Sequence, residues 1–208
     1  GLRPALLQMA THLAGQGYMV LLPDLFYRFG PYGPLDPKEL MKGDFRATIR
    51  PMMASTSNTK AAEDTAAYLS YLASRSDVAG RKVGTVGFCM GGGMALTAAG
   101  SYPDRTAAAA SFHGGNLVTD QATSPHLLIP KIKAEVYVAG ADKDHVYPPE
   151  MAQRLEAGLT KAGVRHKCEV YAGKAHGWMM PDMPVCDAQA AERGWSELFS
   201  LYARHLKV

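Results

Sequence analysis

Four short runs of β-forming residues, each followed by a turn or a stretch of helical spacing, constrain this chain more than any other feature. Strands are predicted at 82–88, 107–112, 134–139 and 167–171, with helices at 92–99, 149–162 and 188–205. Alternation of this kind needs crossovers that return each strand parallel to the one before, which predicts an α/β fold: a mostly parallel central sheet with helices on both faces. Reactive groups in such sheets collect beyond the carboxyl ends of the strands. The turns after the four runs are therefore where chemistry is to be sought.

Upstream of these units, Leu6, Leu7, Met9, Ala10 and Leu13 follow helical spacing, with Pro4 suited to the first turn and Gly15 to the stop. Tyr18 to Leu22 is an apolar run closed by Pro23 and Asp24, the form of a strand buried on both faces. From Tyr27 to Asn58 the chain carries Pro31, Pro34, Pro37 and Pro51 among glycines and resists regular assignment. Phe45, Ile49, Met52 and Met53 give that stretch a small apolar face, suited to covering a pocket or to a short surface helix. A helix over 59–75, capped near Asn58, is predicted to turn Ala62, Ala66, Leu69 and Leu72 inward.

A length of 208 residues suits one domain spanning 1–208 with a substantial core. Net charge is only +3, and the basic residues are scattered, which argues against a nucleic-acid partner. No apolar run reaches the eighteen residues that suggest a membrane span. Cys89, Cys168 and Cys186 are an odd count without C-x-x-C spacing, so neither a disulfide framework nor a zinc site is read from them. A reducing, cytoplasmic setting follows as the expectation. The chain opens at Gly1 without an initiator Met and runs almost at once into a helix, so further residues are expected upstream, a removed targeting signal among the options.

The run ending at Val86 passes through Gly87-Phe88-Cys89-Met90-Gly91-Gly92-Gly93 into a helix, matching the elbow G-x-nucleophile-x-G. Such a turn forces its central residue into a strained conformation, and side chains at the flanking positions would collide with the neighbouring strand and helix. A thiol at a helix N-terminus also feels the positive end of the backbone dipole, which favours the thiolate. The N–H of Met90, next along, is the predicted oxyanion-hole donor. A buried cysteine in a tight turn, or a phosphate cradle, would use similar glycines. Met94 and Ala95, standing where a phosphate loop needs Lys and Ser or Thr, speak against the cradle.

After the run 134–139 come Asp142 and Asp144, both able to hold a histidine. Asp144 is preferred because Asp-x-x-x-Pro, here Asp144 to Pro148, is the usual α/β-hydrolase spacing, while Asp142 suits a turn cap. Past the last strand, His176 sits between Gly173 and Gly177 in a loop where it could reach Cys89 as general base. His12, His126, His166 and His205 are read as surface or packing residues, and His145 as a neighbour of the acid. Nucleophile, acid and base then follow in the chain order of an α/β-hydrolase.

With these residues in place the chain resembles the dienelactone hydrolase family. The resemblance rests on Gly87-Phe88-Cys89-Met90-Gly91-Gly92, on Gly173-Lys174-Ala175-His176, on Leu22 to Tyr27 and on Pro148-Pro149-Glu150. It implies an α/β-hydrolase fold whose opening strands and second oxyanion donor lie upstream of Gly1. It also implies a cysteine hydrolase of esters or lactones: Cys89 attacks, His176 moves the proton and Asp144 orients His176. Neither metal nor cofactor is implied, and the partner is a small ester, lactone or thioester.

Family members of the dienelactone type carry an arginine four residues after the histidine, where this chain has Met180. An apolar pocket wall and a less charged substrate are therefore expected. Phe88, His113 and Trp178 are placed near the same pocket, although packing would account for each of them. A thioesterase or acyltransferase, or a non-catalytic ligand-binding member of the fold, would use the same elements and remains an alternative at this stage.

Overall fold

The computed structural model describes residues 1–207. Four strands, β1 (Val83–Phe88), β2 (Thr106–Phe112), β3 (Glu135–Lys143) and β4 (His166–Ala175), form one parallel sheet in the order β1-β2-β3-β4. The expected α/β-hydrolase architecture is thus present. Register places Phe88 beside Phe112 and Phe112 beside Ala139, so these strand ends stand side by side at one edge.

Among the described residues seven helices accompany the sheet: α1 (Pro4–Ala14), α2 (Pro37–Leu40), α3 (Phe45–Ala54), α4 (Asn58–Ser74), α5 (Met90–Ser101), α6 (Pro149–Lys161) and α7 (Ala188–His205). Because strand side chains alternate between faces, β2 and β3 feed two cores at once. Ala108, Ala110, Phe112, Tyr137 and Ala139 pack with Leu13 of α1 and with Leu198, Leu201 and Tyr202 of α7. Ala109, Val136 and Val138 face the other way, against Leu96 and Ala99 of α5 and Leu155 and Leu159 of α6. Each fully buried leucine in these clusters contributes roughly 1.5–3 kcal/mol of transfer free energy.

The segment at Tyr18 to Leu22 departs from its expectation. It has no regular secondary structure and pairs with none of the four strands, and it is half-buried on alternate residues. Tyr18 and Val20 pack on the α1/α7 core, whereas Met19 and Leu21 are exposed. Alternating burial marks a segment lying on a core by one face, and the run of apolar letters could not distinguish that from burial on both.

Smaller departures have local causes. The α4 helix starts one residue earlier, because the Ser57 hydroxyl, not Asn58, caps it by accepting from the Lys60 N–H at 3.1 Å. Ala61 and Leu69 are its buried residues, while Ala66 is exposed. The irregular stretch contains a 3-10 turn at Tyr27–Phe29 and the helices α2 and α3, each helix capped by an aspartate, Asp36 and Asp44. Met52 is buried there and Met53 exposed. Among the described residues no helix is long and apolar enough to cross a membrane.

Candidate active site

The turn from β1 into α5 is built around a strained residue. Cys89 has φ 55° and ψ −122°, a conformation that side chains rarely adopt and that costs of the order of 1–3 kcal/mol. Its N–H is shared between the Phe112 carbonyl at 3.1 Å and Nδ1 of His113 at 3.2 Å, which fixes the elbow to the end of β2. A Cβ at Gly87 would lie 1.8 Å from the Gly91 carbonyl oxygen, and one at Gly92 would lie 2.3 Å from Ser111 Oγ. A Cβ at Gly91 would meet nothing within 4 Å. The crowding expected around the elbow glycines therefore applies to Gly87 and Gly92 but not to Gly91.

Cys89 is exposed and stands at the N-cap of α5. The Met90 N–H opens that helix and, like other first-turn amides, has no intrahelical acceptor. Both lie where the helix dipole favours negative charge.

The loop after β4 brings His176 onto this thiol. Its Nε2 is 2.9 Å from Cys89 Sγ, and its Nδ1 is 2.7 Å from Asp144 Oδ2. The Asp144 side chain is fully buried, and its other oxygen accepts the Val146 N–H at 3.0 Å. Burial of the imidazole works against its positive charge, but the Cys89 sulfur and the Asp144 carboxylate outweigh it and push His176 up to about 9.

Asp142, the other acid of the turn, is exposed and accepts the Gly173 N–H at 2.8 Å. It thus anchors the end of β4, from which the loop bearing His176 starts, without touching the ring. The D-x-D pattern held the signal for both contacts, one acid for the strand end and one for the imidazole.

His113 is fully buried beneath the site, with φ 38° and its ring centroid 5.3 Å from that of His176. Burial, reinforced by the neighbouring His176 charge, pushes His113 down to about 3, so it stays neutral and Nδ1 remains an acceptor for Cys89. Its role is to hold the elbow, and with no exposed surface it does not line a pocket.

The other expected pocket residues are also packed inward. Trp178 is fully buried and stacks on Tyr171 at 4.2 Å. Phe88 is half-buried and stacks on Phe112 at 5.5 Å. Met180 is buried as well. Apolar letters near a catalytic loop are equally suited to core and to pocket, and here the core takes Trp178 and Met180.

The dienelactone hydrolase family model matches residues 1–206. This chain belongs to the dienelactone hydrolase family. A relative from Synechocystis sp., provisionally named a carboxymethylenebutenolidase, is 26% identical over 212 residues, covering 100% of this chain and 83% of the relative. A carboxymethylenebutenolidase homologue from Xenopus tropicalis is 28% identical, covering 82% of this chain and 63% of its own length.

Among solved structures, a Klebsiella pneumoniae protein provisionally named a dienelactone hydrolase superposes with a TM-score of 0.84 at 21% identity, covering 99% of this chain and 83% of the other. The dienelactone hydrolase-like promiscuous phosphotriesterase P91, from metagenomic libraries, gives 0.73 at 23% identity, covering 99% and 82%. Those likenesses establish the fold. Membership of the family makes this protein a dienelactone hydrolase-like hydrolase.

Proposed function

We propose that the protein hydrolyses small esters or lactones through an acyl-enzyme on Cys89, with His176 as proton carrier and Asp144 as its orienting acid. The observation that carries this reading is the unbroken chain of contacts from Cys89 Sγ through His176 to the buried Asp144. With His176 pushed up to about 9, the ring carries a proton on Nε2 at neutral pH, ready for the leaving group. Sγ attacks the carbonyl carbon, and the carbonyl oxygen takes the negative charge in reach of the Met90 N–H. As the C–O bond to the leaving group breaks, Nε2 gives its proton to the departing oxygen, leaving a thioester and a neutral imidazole. Water then loses a proton to Nε2 and attacks the thioester. Cleavage of the C–S bond frees the acid and restores the starting pair.

Iodoacetamide labelling tests the assignment of the nucleophile. One equivalent on Cys89 is expected to abolish turnover of p-nitrophenyl esters in step with modification. Full activity in protein labelled stoichiometrically at Cys89 would remove the thiol from the mechanism.

The two acids of the turn are separable by substitution. Asp144→Asn is expected to lower kcat by about 10⁴-fold, because the amide no longer accepts the Nδ1 proton and the ring loses its working tautomer. Asp142→Asn should act far less, through the end of β4 alone. Equal losses in both variants would show that the acid has been misassigned.

Met180 is buried and supplies no charge where the namesake enzymes have arginine, so the substrate is proposed to need no carboxylate. A matched pair of esters with and without a carboxylate should show a higher kcat/KM for the neutral one. Preference for the anionic ester would overturn the reading.

A further inference from the structure

One of the two cysteines that the active site does not use and one of the histidines set aside as packing residues meet outside it. Glu156 of α6 and His166 and Cys168 of β4 bring one ligand atom each, all within 4.8 Å of one another. His166 and Cys168 are two apart on a strand and so share a face. Their register partners Val136 and Val138 belong to the core beneath α6, which places that face toward the helix bearing Glu156.

Two further observations point to a ligand. The Nδ1 of His166 is 2.7 Å from the Val164 carbonyl, which fixes the proton on Nδ1 and leaves Nε2 with a free lone pair. A backbone carbonyl bound to one ring nitrogen is the outer-shell arrangement typical of metal-ligating histidines. The Tyr147 side chain is 4% exposed, belongs to the core cluster against which Cys168 packs, and its hydroxyl has no hydrogen-bond partner among the described residues.

We propose that Glu156, His166 and Cys168 form a binding site for a zinc-like divalent cation that ties α6 to the edge strand β4. A thiolate, an imidazole and a carboxylate together suit zinc better than magnesium or calcium, which prefer all-oxygen sets. Three protein ligands leave a fourth position for water.

The site lies at the start of β4 and His176 just past its end, about 30 Å away along ten extended residues. Its role is therefore structural. It holds the strand whose far end delivers the histidine, and it stands whether or not Cys89 is the nucleophile.

Cobalt(II), which reports thiolate ligation optically, is the probe. Titrated into metal-stripped Cys89→Ser, Cys186→Ser protein, it should give a sulfur-to-cobalt charge-transfer band saturating at one equivalent. Adding Cys168→Ser should abolish the band. Glu156→Gln, at an exposed position that folding tolerates, and His166→Gln should weaken binding by more than the roughly 10- to 100-fold typical of an outer-shell loss.

Zinc at about 100 times its Kd should raise Tm by about 5–10 °C, a rise lost in Cys168→Ser. In the protein retaining Cys89, Cys168→Ser should keep its metal-free ester turnover. A band that survives Cys168→Ser, or cobalt affinity unchanged by both Glu156→Gln and His166→Gln, overturns the proposal. So does the absence of any thiolate band in the folded Cys89→Ser, Cys186→Ser protein.

Discussion

Cys89→Ala should lower kcat/KM for p-nitrophenyl esters by roughly 10⁴- to 10⁶-fold, and His176→Ala by a similar factor. The size follows from geometry, since one ring bridges the sulfur at 2.9 Å and a buried carboxylate at 2.7 Å, and neither step has another proton carrier in contact with Sγ among the described residues. Removing the sulfur removes the acyl-enzyme, whereas removing the ring leaves a thiol without its base. Groups that act as a unit are not additive, so the double variant should be scarcely worse than either single one. Thermal unfolding of the variants separates chemistry from stability. Turnover unchanged in both single variants, with the fold intact, would refute the cysteine mechanism, while strictly multiplicative losses would show that the two residues work apart.

Gly87→Ala should destabilise the protein by on the order of 3–5 kcal/mol, whereas Gly91→Ala should change stability by no more than about 1 kcal/mol. The added methyl at Gly87 would lie 1.8 Å from the Gly91 carbonyl oxygen and 2.1 Å from its carbon. Those are backbone atoms of the first turn of α5, so relief requires moving the helix away from β1 and with it the strained Cys89. At Gly91 the same methyl enters open space, four residues from Gly87 in one motif. Urea unfolding with ester turnover measured in parallel decides the matter. Wild-type stability in Gly87→Ala would mean that the elbow is looser than its contacts indicate.

Most of the strand and helix order was legible because the buried strands carry their own apolar runs and four of the described helices their own side-chain caps. The α7 helix has the predicted bounds, and its Asp187 cap accepts the Ala190 N–H at 2.8 Å, a contact three residues long. Tyr18 to Leu22 was misread because burial on one face or two depends on neighbouring strands. Trp178 and Met180 were placed in a pocket and lie in the core because their letters record apolarity, not direction.

The site divides along the same line. The glycines around Cys89 could be read from the sequence, since tight-turn sterics act over a few residues. Asp144 and His176 were also named from the sequence, but by chain order and resemblance, because their contacts span long separations. Cys89 and His176 stand 87 positions apart, and Asp144 and His176 stand 32 apart. Their meeting depends on parallel strands that end at the same sheet edge.

What the sequence determined by itself was local: the strained elbow, the caps, and the strand–helix alternation that obliges a parallel sheet. The sequence already favoured Asp144 over Asp142, and in the folded chain Asp144 meets the imidazole. Only the tertiary structure decided that His113 lies buried beneath Cys89, and that Glu156, His166 and Cys168 converge. The physical reason is range. Backbone sterics and capping hydrogen bonds act between residues a few positions apart, whereas burial, proton affinity and ligand geometry belong to neighbours that the folded sheet brings together.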